Sequence, residues 1–184
     1  MLRDDDRIVV VPSVDAGDQA AALLALYDEA VGEVYGYLVA RCRNRAVAED
    51  LTSEVFMGAV DAIVRGTVRE VSTAWLIGIA RHKLVDHWRR LEREQRRLDA
   101  VTDETEAGGS TEDPWQVELD VLAARDALER LGAHHRAALT LRYLDGLSVP
   151  EVAAVLDRTV HATEALLVRA KRAFRAIYSN EVGR

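Results

Sequence analysis

Apolar residues recur at spacings of three and four along most of the chain, the period of helices that bury one face. Leu23, Tyr27, Val31, Val34, Tyr35 and Leu38 form one such stripe and predict a first helix from about Asp18 to Cys42, ending at Arg43-Asn44-Arg45. Leu51, Val55, Phe56, Ala59 and Ile63 predict a second, from about Ala46 to Val64, with Gly66 where such a helix stops. Ser72 suits the N-cap of a third helix running through Ala74 towards Arg97. Its stripe is Trp75, Leu76, Ile79, Ala80, Leu84, Trp88 and Leu91, and from Arg81 onward the helix is crowded with cations.

The apolar period then stops. Residues 99–113 contain Gly108-Gly109-Ser110-Thr111 and read as a flexible acidic linker. Asp113-Pro114-Trp115-Gln116 has the residue types of a capped helix start, and Gly132 closes that helix after Leu131. A helix from about Ala133 to Tyr143 ends before Asp145-Gly146. Ser148-Val149-Pro150-Glu151 is a capping box opening a short helix to Leu156, and Thr159 can cap a last helix from Val160 to Tyr178. Residues 1–17 read as a loose tail, with Ile8 to Val11 as a short extended segment in the alternative reading. The expected fold is all-α: small helical domains at 18–98 and 114–184, joined by the linker 99–113, the second containing a helix-turn-helix.

A net charge of −7 over 184 residues argues against nucleic acid as a partner until the charge is located. Between Asp99 and Glu129 the only cation is Arg125, whereas Arg81 to Arg97 is dominated by Arg81, Lys83, Arg89, Arg90, Arg93, Arg96 and Arg97. Local fields steer binding more than the salt-screened total does. Cys42 is the only cysteine, which excludes an intrachain disulfide or a cysteine zinc site. His134-His135 are adjacent and do not place both rings on one metal at helical spacing. No glycine-rich phosphate loop or nucleophile–base pattern appears, so neither enzyme activity nor a cofactor is expected. With no signal peptide and no membrane-length apolar run, the expected location is the cytoplasm, without membrane insertion.

The helices Ser148 to Leu156 and Val160 to Tyr178 have the layout of a helix-turn-helix whose second helix enters a DNA groove. Leu147, Val152, Ala153 and Leu156 give the first helix its buried face, and Val160, Leu166, Leu167 and Ala170 seat the second. Its exposed side is then expected to offer His161, Thr163, Glu164, Val168, Arg169, Lys171 and Arg172. Polar groups near the helix start suit base edges, and cations along the flank suit phosphates. Cations beside aromatic rings on the Trp75–Trp88 helix suit melted or single-stranded nucleic acid, although Trp75 better suits a core. Two other readings fit these residues. One is a stand-alone, dimeric helix-turn-helix regulator with a helical N-terminal domain. The other is a scaffold whose basic helices are solvated faces.

Motifs narrow the choice. Ala48-Glu49-Asp50-Leu51-Thr52-Ser53-Glu54-Val55-Phe56 resembles the A-E-D-L-x-Q-E-x-F motif of bacterial sigma factors. Ser72-Thr73-Ala74-Trp75-Leu76-Ile77-Gly78-Ile79-Ala80-Arg81-His82 resembles their S-F-x-x-W-L-x-x-I-A-R-N. Arg142 through Gly146-Leu147-Ser148 to Ala153 resembles their R-x-x-x-G-L-S-Y-x-E-I-A helix-turn-helix. The order, the spacing and the intervening linker are similar to the extracytoplasmic-function (ECF) group. The resemblance implies a specificity subunit for core RNA polymerase that reads promoter DNA as an asymmetric two-part site. By it, Glu49, Asp50, Leu51 and Glu54 hold the polymerase, with Phe56 read as core. Arg69, Arg81, His82, Lys83, Asp86, Arg89 and Arg90 read the minus-ten element. Arg142, Thr159, His161, Thr163, Glu164, Val168, Arg169, Lys171 and Arg172 serve the minus-thirty-five element. The acidic linker threads towards the polymerase cleft. A monomer when free and an anti-sigma factor as partner are implied too. Departures are His82 for the common Asn, Ser53 for Gln, Pro150, and Glu164 where many members carry Lys or Arg. A carboxylate at that position repels phosphate but can accept from a cytosine amino group, which implies a shifted base preference.

Overall fold

The computed structural model describes residues 16–98 and 121–182. Of the tail expected at 1–17, residues 1–15 lie outside the described residues, while Ala16 and Gly17 already belong to the first helix; the linker at 99–113 and the helix start at Asp113 to Gln116 also lie outside. Regular structure among the described residues is helical: α1 (Ala16–Cys42), α2 (Arg45–Val64), α3 (Thr73–Leu98), α4 (Val121–Glu129), α5 (Ala133–Leu139), α6 (Val149–Leu156) and α7 (Val160–Val182). A π-helical turn, Thr140–Leu144, continues α5. Packing divides the chain into two compact units, Met1–Ala80 and Arg81–Arg184. The division falls inside α3, because the helix from Arg81 onward finds partners around α5 and α6.

In the first unit α1 packs on α2. Leu23, Val34 and Leu38 of α1 and Leu51, Val55, Ala59 and Ile63 of α2 are buried. Each large aliphatic side chain so buried contributes about 1.5–3 kcal/mol. Tyr27 departs from its expected core position: it is 46% exposed and sets its ring edge against Phe56, with centroids 5.0 Å apart. The link between α1 and α2 is tight. Arg43 adopts a left-handed φ of 53°, and the Asn44 side chain accepts from the Val47 N–H at 3.2 Å. Gly66, with φ of 67°, turns the chain after α2, and the Thr67 N–H and hydroxyl both donate to the Ala62 carbonyl. Ser72 caps α3 as expected, accepting from the Trp75 N–H at 3.3 Å.

In the second unit α7 receives α4, α5 and α6. Leu131, Ala137, Ala138, Leu141, Val152, Ala153, Leu156, Leu166, Leu167, Ala170 and Phe174 form the core. The alanines let the helices approach closely. Val160, expected to seat α7, is instead 43% exposed. The capping box of α6 is present, with the Ser148 N–H and hydroxyl both donating to the Glu151 carboxylate. These bonds hold the Glu151 pKa below its ordinary value.

Candidate nucleic-acid and polymerase interfaces

Asp157 makes the bend between α6 and α7 with a left-handed φ of 52°. The Arg158 N–H returns to the Ala153 carbonyl at 2.9 Å, closing α6 in the manner of a Schellman turn. Thr159 then opens α7, its hydroxyl accepting from the Ala162 N–H at 3.2 Å. Its side chain is therefore committed to the cap, although the residue is exposed.

His161, Glu164, Val168 and Arg169 line the exposed side of α7, with Lys171 and Arg172 half-buried on its flank. His161 Nδ1 lies 4.0 Å from Glu164 Oε2, which places the carboxylate beside a group that carries charge once protonated. Thr163 is a correction. Expected on this exposed side, it is fully buried and donates its hydroxyl to the Thr159 carbonyl at 3.0 Å. Its position faces α7's own seat, so the methyl packs inward while the hydroxyl is satisfied within the helix. Arg142 is partly spent on its own turn, donating to the Leu147 carbonyl at 2.7 Å. Tyr143 stands exposed beside it, with Lys171 Nζ 5.4 Å from its ring centroid.

His135 is half-buried on α5. Its pKa is lowered, first by burial, then by the charges of Arg169 and His134, with Glu92 opposing.

On α3, His82, Asp86 and Arg90 are exposed and Lys83 is half-buried. Arg69, in the loop before α3, is exposed while its carbonyl accepts from the buried Gln19 side chain at 3.2 Å, which fixes the loop to α1. Arg81 and Arg89 are placed differently. Arg81 Nε donates to Asp145 Oδ2 at 3.1 Å, and that carboxylate is wholly shielded from solvent. Arg89 donates to the Leu156 carbonyl at 2.9 Å and to Asp86 at 3.4 Å. Trp88 is buried, with Arg136 lying 4.6 Å over its ring.

On α2, Glu49 and Asp50 are exposed and Glu54 is half-buried. Leu51 is a second correction: it is 2% exposed and belongs to the core with Val55. Sequence reasoning also missed residues here. Met57, Val60 and Val64 are 61%, 51% and 76% exposed. They continue the Asp50–Ser53 face by helical steps, out of phase with the core positions Leu51, Val55, Ala59 and Ile63. A second apolar stripe on a surface helix is the signal that could have found them.

The fold and these surfaces define an all-helical protein with a helix-turn-helix. The family model described as Sigma-70 region 2 matches residues 26–94, and the model described as Sigma-70, region 4 matches residues 122–174. The ECF RNA polymerase sigma factor BldN of Streptomyces coelicolor is 37% identical over 168 residues, covering 89% of this chain and 62% of BldN. The ECF RNA polymerase sigma factor SigL of Mycobacterium tuberculosis is 32% identical over 165 residues, covering 87% of this chain and 90% of SigL. The sigma factor RpoE of Bartonella quintana, solved in complex with the anti-sigma factor NepR, shares the fold: TM-score 0.53, 22% identity, 87% of this chain and 96% of that one. The chain belongs to the ECF RNA polymerase sigma factors of the sigma-70 superfamily.

Proposed function

We propose that the chain is a specificity subunit of RNA polymerase, without catalytic activity of its own, that directs transcription from promoters with two separated elements. The observation that carries this reading is the presence of both family regions on one chain. An acidic-apolar face on α2 and an exposed polar and cationic face on α7 add to it. The exposed side of α2, from Glu49 and Asp50 through Met57, Val60 and Val64, is the polymerase contact. Leu51 supports that face from beneath. The loop with Arg69 and the cationic part of α3 serve the minus-ten element, where melted bases need a cationic wall. The exposed side of α7 serves the minus-thirty-five element. Thr163 positions that helix and does not touch DNA. The domains at 18–98 and 114–184, tethered by the linker, make the second promoter contact intramolecular, so weak separate contacts give a tight joint one.

The setting is the cytoplasm; no helix among the described residues is long and apolar enough to cross a membrane. The free chain is a monomer available to an anti-sigma factor.

Transcription by purified core polymerase, with and without the full chain, on a promoter mapped after induced expression tests the proposal. Initiation that depends on the chain and on both elements is expected. A symmetric palindromic site bound by a dimer without polymerase would replace it with the stand-alone regulator.

A further inference from the structure

The loop between α2 and α3 is pinned at both ends by short-range contacts. Gly66 turns it with a φ of 67°, and the Thr67 N–H and hydroxyl both donate to the Ala62 carbonyl at 3.1 Å. At the far end Val71 is buried and Ser72 caps α3. Between these anchors Arg69 and Glu70 are exposed. Their shared peptide is held from a distant part of the chain. Gln19 Nε2 on α1, 50 residues away in sequence, donates to the Arg69 carbonyl at 3.2 Å. A trans peptide points its N–H opposite to its carbonyl. Tying the Arg69 carbonyl to α1 therefore turns the Glu70 N–H away from α1, and that N–H bonds no described residue. We infer that Gln19 is a positioning residue for minus-ten readout, fixing the Glu70 N–H as a backbone donor to a base that has left the stack.

Every base carries acceptors on its edges, at different places on each. A donor fixed in direction discriminates between them, whereas one on a freely turning peptide meets any of them. The Arg69 side chain supplies charge for phosphate, and the selectivity lies in the backbone beside it. The burial of Gln19 supports a role beyond the fold. Gln19 is 7% exposed, and its Oε1 is buried without a hydrogen-bond partner among the described residues. A buried amide satisfied on one side only is less stable there than an apolar side chain of the same shape. What the amide adds is direction at the loop, through the Nε2 bond.

The inference rests on the minus-ten role proposed for this loop. It is tested by transcription with core polymerase and the full chain, on its mapped promoter and on a set in which each base of either element is replaced in turn. Gln19→Met keeps the length of the side chain and removes the donor, and the freed Arg69 carbonyl takes water instead. The variant is expected to lose about ten-fold of the preference at one minus-ten position, the scale of one hydrogen bond. Its minus-thirty-five preferences should match the parent's, and its urea midpoint should be no lower. Unchanged minus-ten preferences overturn the inference. So does a loss that comes with a lower midpoint or extends equally to the minus-thirty-five element. If Gln19→Met loses its helical circular dichroism, the unmodified chain decides. In its open complex with polymerase, hydrogen exchange over residues 66–71 must be slower on the mapped promoter than on the least favoured minus-ten replacement, and equal exchange overturns the inference. A parent chain that starts no transcription overturns the proposed function and the inference with it. A parent that starts it, beside a variant with unchanged preferences, overturns the inference alone.

Discussion

Arg169 on α7 stands in solvent, while Arg81 and Arg89 on α3 are bonded to a buried carboxylate and a helix-end carbonyl. The residue type is the same and the helices are both amphipathic. The α7 face presents His161, Glu164 and Arg169 to solvent. The α3 face exposes His82, Asp86, Arg90, Arg93 and Arg97 and keeps Arg81 and Arg89 occupied. A basic helix is thus not one kind of surface: what matters is whether its guanidiniums have been given oxygens by the fold.

The contrast breaks most severely with Arg89→Glu and Arg90→Glu together. Open-complex formation on a two-element promoter should fall by about 100-fold or more, since cations facing phosphate become anions. Polymerase co-purification should be retained, because α2 is untouched. Normal opening by this variant would remove α3 from the minus-ten assignment.

On the α7 side, Glu164→Lys should change which upstream sequence is preferred by about 1–3 kcal/mol, read by competition between promoter variants. Arg169→Ala should instead weaken all sequences alike and reduce the salt slope of binding by about 1. Equal responses from the two would mean that the α7 face contacts backbone only.

His135 links the α7 side to pH. Its folded pKa is lowered, so the unfolded chain binds the proton more readily than the folded one. The neutral ring's stabilisation is complete above about pH 6.5 and is lost as pH falls below it towards the folded value. Urea midpoints should fall over that window in the parent and fall less in His135→Gln. The smallest expected effect is at Asp157. Its left-handed backbone favours glycine, and Asp157→Gly should raise stability by about 0.5 kcal/mol in the same urea assay.

Much of this is legible in the sequence. The Ser72 and Thr159 caps, the Ser148–Glu151 box, the stop at Gly66 and the limits of α2 and α3 follow from local chemistry, and local bonds realise them. Errors arose where a helix has more than one neighbour. Thr163 carries a hydroxyl that reads as a base contact, yet its side chain faces inward and bonds backward to Thr159. Leu51 sits in a motif read as an adhesive surface, yet its phase puts it in the core with Val55. Met57, Val60 and Val64 escape a sequence reading because one apolar stripe already accounts for α2.

The sequence by itself determined the helices, their caps, the helix-turn-helix and the family, because these depend on spacing and on residue types a few positions apart. Tertiary structure alone decided which polar side chains are available. Asp145 and Arg81 are 64 residues apart. No period or motif connects them, and only packing that excludes water from the carboxylate makes that pairing necessary.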